Sequence, residues 1–86
     1  EAEQLRTVPM GEAAFEGDPI HYALLVETLE NGLENYGVQV EYRTQSAMVA
    51  ALTLCRRRAE VLVERLRRGS VTPVALRDVA EDWLLE

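Results

Sequence analysis

Three sets of side chains in this chain have the types and spacing that chemistry uses. Glu27, Glu30 and Glu34 recur at steps of three and four. On an α-helix those steps bring the carboxylates to one face, an oxygen-ligand arrangement that suits Mg²⁺. Asp78 and Glu81 repeat the acid-x-x-acid spacing near the C-terminus. Arg56-Arg57-Arg58 is a basic run of the kind that meets phosphate. Cys55 is the only cysteine and His21 the only histidine, so they are the one thiol–imidazole pair available for nucleophilic catalysis.

Each set also has a plainer reading, and the plainer readings carry more weight. Small all-α nucleotide pyrophosphohydrolases use Glu-x-x-Glu on one helix and a second acidic pair on another. Glu27-Thr28-Leu29-Glu30 and Asp78-Val79-Ala80-Glu81 resemble those pairs, and an Mg-dependent enzyme of that type is the first alternative function. The 47 residues between the pairs are long for such a motif, and the chain has no Lys for phosphate. A solvated acidic face, or one paired to Arg56, Arg57 or Arg67, accounts for the same residues. Three consecutive helical Arg point about 100° apart and cannot act as one fork. Arg56, Glu60, Glu64 and Arg67 instead pair along one face. Cys55 falls on an apolar seam, as a small core residue does, and His21 lies off the neighbouring stripe. No catalytic residue, metal ligand or cofactor is therefore expected.

Composition narrows the partners. The 86 residues make one domain with a thin core. A single cysteine excludes an internal disulfide, and the lack of a Cys/His cluster disfavours a metal. Oligomerisation is the remaining source of stability. The net charge of −6 and pI of about 4.7 disfavour nucleic acid and anionic membrane as partners. No run of about 18 apolar residues exists to span a bilayer, and the N-terminus lacks the apolar stretch of a signal peptide. The lone cysteine suits a reducing, cytoplasmic setting. All nine basic residues are Arg, which hints at a GC-rich bacterial or thermophilic source.

The elements expected to position these residues are helical. Asp18-Pro19 reads as a helix start and Gly37 as its stop, giving a helix over 19–36. A heptad seam at Met48, Leu52, Cys55, Ala59, Leu62 and Leu66 predicts a long central helix over 44–68. Pro73 opens a third helix over 73–85. Val38, Val40 and Tyr42 alternate with polar residues and mark a short extended or β segment near 38–42. Residues 1–17, broken by Pro9, Gly11 and Gly17, read as a loosely structured tail before a helical domain over 18–86. The predicted fold class is all-α: a small antiparallel three-helix bundle with coiled-coil-like packing, completed as a four-helix core in a homodimer.

The function this points to is non-enzymatic: a protein–protein interaction module, such as an adaptor, assembly factor or small subunit, pairing with itself and with a larger assembly. The expected interface is the second apolar edge of the central helix, Ala47, Ala50, Leu54 and Val61, with Leu84 and Leu85 at the C-terminus. A second alternative is a ribbon-helix-helix transcription regulator, in which the strand near 38–42 pairs across a dimer and enters the DNA major groove.

Overall fold

The computed structural model describes the backbone of residues 2–86 and the side chains from residue 4 onward. It is not a helical bundle. Four strands, β1 (Ala2–Phe15), β2 (Asp18–Leu29), β3 (Glu34–Tyr42) and β4 (Gln45–Thr53), form one antiparallel meander in the order β1-β2-β3-β4. Two helices follow, α1 (Arg56–Arg68) and α2 (Leu76–Leu84), with a 3-10 turn over Pro73–Ala75 ahead of α2. Both helices pack on one face of the sheet.

The turns explain why residues 18–53 fold as hairpins. Glu16-Gly17 joins β1 to β2 with both residues at positive φ, 51° and 87°. Such turns match the right-handed twist of the flanking strands. Glu30-Asn31-Gly32 joins β2 to β3, with Gly32 at φ 85°. The Gly32 N–H donates to the Leu29 carbonyl at 3.0 Å, and the Leu29 N–H to the Leu33 carbonyl at 2.8 Å. Asn31 Oδ1 accepts the Leu33 N–H at 3.0 Å, the local bond that makes Asn a turn former. Arg43-Thr44 joins β3 to β4. Asp18, expected to cap a helix, instead accepts Arg43 Nε at 2.7 Å between two neighbouring turns.

One face of this sheet builds the core. Ile20, Tyr22, Leu24 and Val26 of β2 stand opposite Tyr42, Val40, Val38 and Tyr36 of β3, and all eight are buried. Ala59, Leu62, Val63 and Leu66 of α1 lie against them, with Leu76 and Trp83 of α2. The α1 residues step by three, one and three, one stripe of a helix. Each fully buried aliphatic side chain contributes about 1.5–3 kcal/mol. Two tyrosine hydroxyls tie this layer to loops: Tyr22 donates to the Val71 carbonyl at 2.8 Å and Tyr42 to the Phe15 carbonyl at 3.0 Å.

Several expectations are corrected here. The all-α bundle, its heptad packing and the helix over 19–36 are replaced by strands, because Ala23-Leu24-Leu25-Val26 satisfies a period of two as well as a heptad. The central helix begins only at Arg56; Gln45–Thr53, despite three alanines, is β4. The segment near 38–42 is no lone strand but part of β3, paired on both sides. The segment expected as a loose tail contains β1, so the sheet runs across the boundary drawn at residue 17; Glu1 lies outside the described residues. Among the described residues no helix is long and apolar enough to cross a membrane. The accessible surface of 5306 Å² is close to the roughly 5100 Å² expected of a folded monomer of this mass. The core therefore closes within one chain.

Gly37 has its own constraint. Tyr36 pairs with Thr53 but Val38 with Val49, so β4 bulges opposite Gly37, with Ala51 at φ 57°. A Cβ on Gly37 would lie 2.1 Å from the Val49 oxygen and 2.9 Å from the Ala50 Cα. Both are backbone atoms that cannot rotate away. Gly37→Ala is expected to cost about 3 kcal/mol, read as a lowered urea midpoint. Gly32→Ala, with open space around it but a left-handed backbone, should cost only about 1 kcal/mol.

Candidate functional site

The polar residues singled out by the sequence are dispersed by the sheet. Glu27 stands on the helix-free face opposite Asn35, Glu30 lies in the hairpin turn, and Glu34 is on the helix side beside Tyr36. Asp78 and Glu81 are on α2. Among the described residues no group of three His, Cys, Asp or Glu side chains converges for a metal. Cys55 is not a core residue: it is exposed and stands at the N-terminus of α1. His21 lies on the opposite face of the sheet, so the two do not meet. The DNA-reading alternative needs a free strand at 38–42, but that strand is interior.

The helix-free face carries a cross-strand row, Glu12, His21, Glu41 and Ser46, set by register. His21 Nδ1 lies 3.1 Å from Glu12 Oε2. Ser46 is two strands from His21, roughly 10 Å at ordinary strand spacing, too far for a nucleophile–base hydrogen bond. A shallow cavity of about 230 Å³ lined by Thr7, Pro9, His21, Ala23, Gln39 and Glu41 sits over the row.

The Arg of α1 are largely spent on neighbours. Arg56 bonds Glu60 at 3.1 Å, Arg67 and Arg68 both meet Glu64, and Arg65 reaches Glu86 at 2.5 Å. Arg58 covers the Trp83 ring at 4.9 Å, a cation–π contact. This dispersal is what the helical spacing predicted for the Arg run. On the sheet end beneath α1, Tyr36 donates its hydroxyl to Glu34 at 2.7 Å and Arg6 approaches the same carboxylate at 3.4 Å. The Tyr36 hydroxyl first, and Arg6 after it, hold the Glu34 carboxyl below its usual range; the same bond pushes the Tyr36 phenol up.

The two sheet edges differ sharply. β1 carries Arg6, Pro9 and Glu12 and breaks register twice, between Ala2 and Gln4 and between Pro9 and Gly11. Proline, charge and bulges are the devices by which edge strands avoid pairing with other chains. β4 has no charged residue and no proline over Gln45–Thr53. Exposed apolar residues flank it on both faces. Met48, 48% exposed, is on the helix-free face; Val74, 78% exposed, is in the 3-10 turn that packs beside β4. Thr44, Gln45, Ser46, Ala47, Pro73 and Val74 border a concavity of about 440 Å³ along the start of this edge.

The predicted interface residues do not share a helix edge, since 45–53 is strand. Ala47 and Ala50 lie on β4, Ala47 partly buried against the core and Ala50 exposed. Leu54 follows β4 and is exposed; Leu84 and Leu85 are exposed at the end of α2, the helix packed against β4. Val61 is apart from them, beside Met10 in a groove between α1 and β1. Sequence reasoning missed Met48 as a surface residue and Val74 altogether. The available signal was the absence of charge from Thr44 to Cys55.

Because Glu34 is held ionised in the folded state, its contribution to stability is present above the ordinary glutamate pKa and is lost as pH falls through its lowered folded value. A carboxylate NMR titration should find Glu34 titrating below the usual glutamate range. Tyr36→Phe should move it up toward that range; an unmoved titration would show that the hydroxyl is not the cause.

No curated protein and no solved structure matches this chain. Residues 12–86, from the second half of β1 to the end of α2, match the family described as a family of unknown function (DUF6514), and the chain belongs to that family.

Proposed function

We propose that this protein is a non-enzymatic protein–protein interaction module that works from the β4 edge of its sheet. The observation that carries this reading is the contrast between the edges. β1 is interrupted by proline, charge and two register breaks, while the outer edge of β4 is uncharged and regular from Gln45 to Val49, with Met48 and Val74 exposed at it. An exposed strand of that composition is a template for an added strand. Backbone hydrogen bonds supply affinity in such pairing, and alternate side chains supply selectivity.

The dispersal of the acidic, thiol and imidazole groups supports a binding role over a catalytic one. A cytoplasmic setting fits the same picture, since Cys55 is an exposed free thiol, a state that oxidising compartments do not preserve. The partner is a protein chain that presents an extended, largely apolar segment. Nucleic acid and membrane surfaces are poor fits to a chain of net charge −6.

Selection of random decapeptides on the immobilised protein provides the test. Binders enriched in β-branched and apolar residues are expected, with affinity lost in Met48→Glu and Val49→Pro and kept in Leu5→Glu on β1. Circular dichroism on each variant confirms that the sheet is intact. Absence of binders, or binders indifferent to the β4 changes, would count against the reading.

A further inference from the structure

We infer that the β4 edge pairs with the β4 edge of a second copy of this chain. The pairing is antiparallel about a two-fold axis at Met48, so that two four-stranded sheets become one of eight. The inference rests on the interaction role proposed for β4 and names its occupant.

The register follows from chain geometry. Opposite residues of an antiparallel pair project to the same face, so the two-fold axis runs perpendicular to the sheet and passes through a residue pair. Centred on Met48, it sets Met48 against Met48 of the second copy, Ala47 against Val49 and Ser46 against Ala50; the bulge at Ala51, with φ 57°, ends the seam there. Every one of these pairs is uncharged, so no like charges meet, although the two chains each carry −6. Ala47 stands opposite the larger Val49, and Ser46 and Ala50 are both small. At the axis two methionines meet, the side chain best able to adapt to an irregular gap.

Both faces of the seam gain from this arrangement. On the helix-free face it covers Met48, now half exposed. On the helix side both 3-10 turns approach the seam. Val49 of the second copy comes beside Ala47, at the concavity that Ala47 shares with Pro73 and Val74. Val74, among the most exposed large apolar residues of the chain, is then beside apolar surface. A second copy also explains the charge pattern better than an unrelated basic partner. The acids of the sheet strands, Glu3, Glu12, Asp18, Glu27, Glu34 and Glu41, all lie on β1–β3. Opposite charge is steered toward those strands, whereas a like-charged copy meets least repulsion at β4.

Two measurements on the full chain test this. Light scattering should give a mass of twice 9.7 kDa, and Met48→Lys, which faces itself across the axis, should return the single-chain mass with an unchanged circular dichroism spectrum. That variant is expected to fold because Met48 lies outside the closed core. In a Cys55→Ser background, Met48→Cys should oxidise to a covalent dimer, since directly opposed residues are about 4.5–5.5 Å apart at Cα, within disulfide reach. Leu5→Cys on β1 should form no covalent dimer. A single-chain mass at about 1 mM, where even weak association registers, overturns the inference. So does a dimer unaffected by Met48→Lys, or one cross-linked through Leu5→Cys. A monomer that still binds strand peptides at β4 rejects self-pairing and leaves the interaction role standing; a monomer that binds none rejects both.

Discussion

The structure depends on one buried layer, the alternate side chains of β2 and β3 pressed against the Ala59/Leu62/Val63/Leu66 stripe of α1. Every other element serves that layer or hangs from it. β1 and β4 pair with the two central strands and satisfy their outer hydrogen-bonding groups. The loop after α1 is anchored by the Tyr22 hydroxyl on the Val71 carbonyl, which turns the chain back so that Trp83 of α2 closes the layer. The charges of α1 obey the same constraint. Its first turn places three Arg where the helix dipole is unfavourable to them, and Glu60 and Trp83 offset two of the three.

Covering a sheet on one face leaves two kinds of surface without cover: the opposite face and the edges. The opposite face is largely managed. Its row of Glu12, His21, Glu41 and Ser46 is polar and solvated, and Leu25 is buried between Thr7 and Gly37 in register. The β1 edge is managed by Pro9 and the adjoining bulge, where Gly11 lets Arg67 lie across the strand. β4 carries one bulge, past Val49, but neither proline nor charge.

The sequence misled at particular places for physical reasons. Residues 23–26 are a continuous apolar run, and such a run fits a strand and a helix equally. The hairpin signals at Glu16-Gly17 and Asn31-Gly32 were present, but Gly32 also reads as a weak point inside a helix. In β1 the bulge at Met10 shifts the inward positions from even to odd numbers, Val8 before it and Ala13 after it, so no alternation is visible along the strand. In β4 the alanines favour helix by intrinsic propensity, yet pairing with β3 and packing of Ala47 and Val49 on the core outweigh a few tenths of a kcal/mol per residue. Of the interface residues expected from the sequence, Ala50, Leu54, Val61, Leu84 and Leu85 are exposed and Ala47 is half-buried, but the single helix edge expected to carry four of them does not exist.

By itself the sequence determined the charge pattern, the pairing of Arg with Glu along α1, the helical character of Arg56–Arg68 and the existence of one apolar stretch free of charge between Thr44 and Cys55. These follow from residue type and spacing within a single turn or run. Only the tertiary structure decided that this stretch is an edge strand and not half of a long helix. That choice depends on hydrogen bonds to β3 and on a core layer built from residues as far apart as Ile20 and Trp83, contacts that no local pattern encodes.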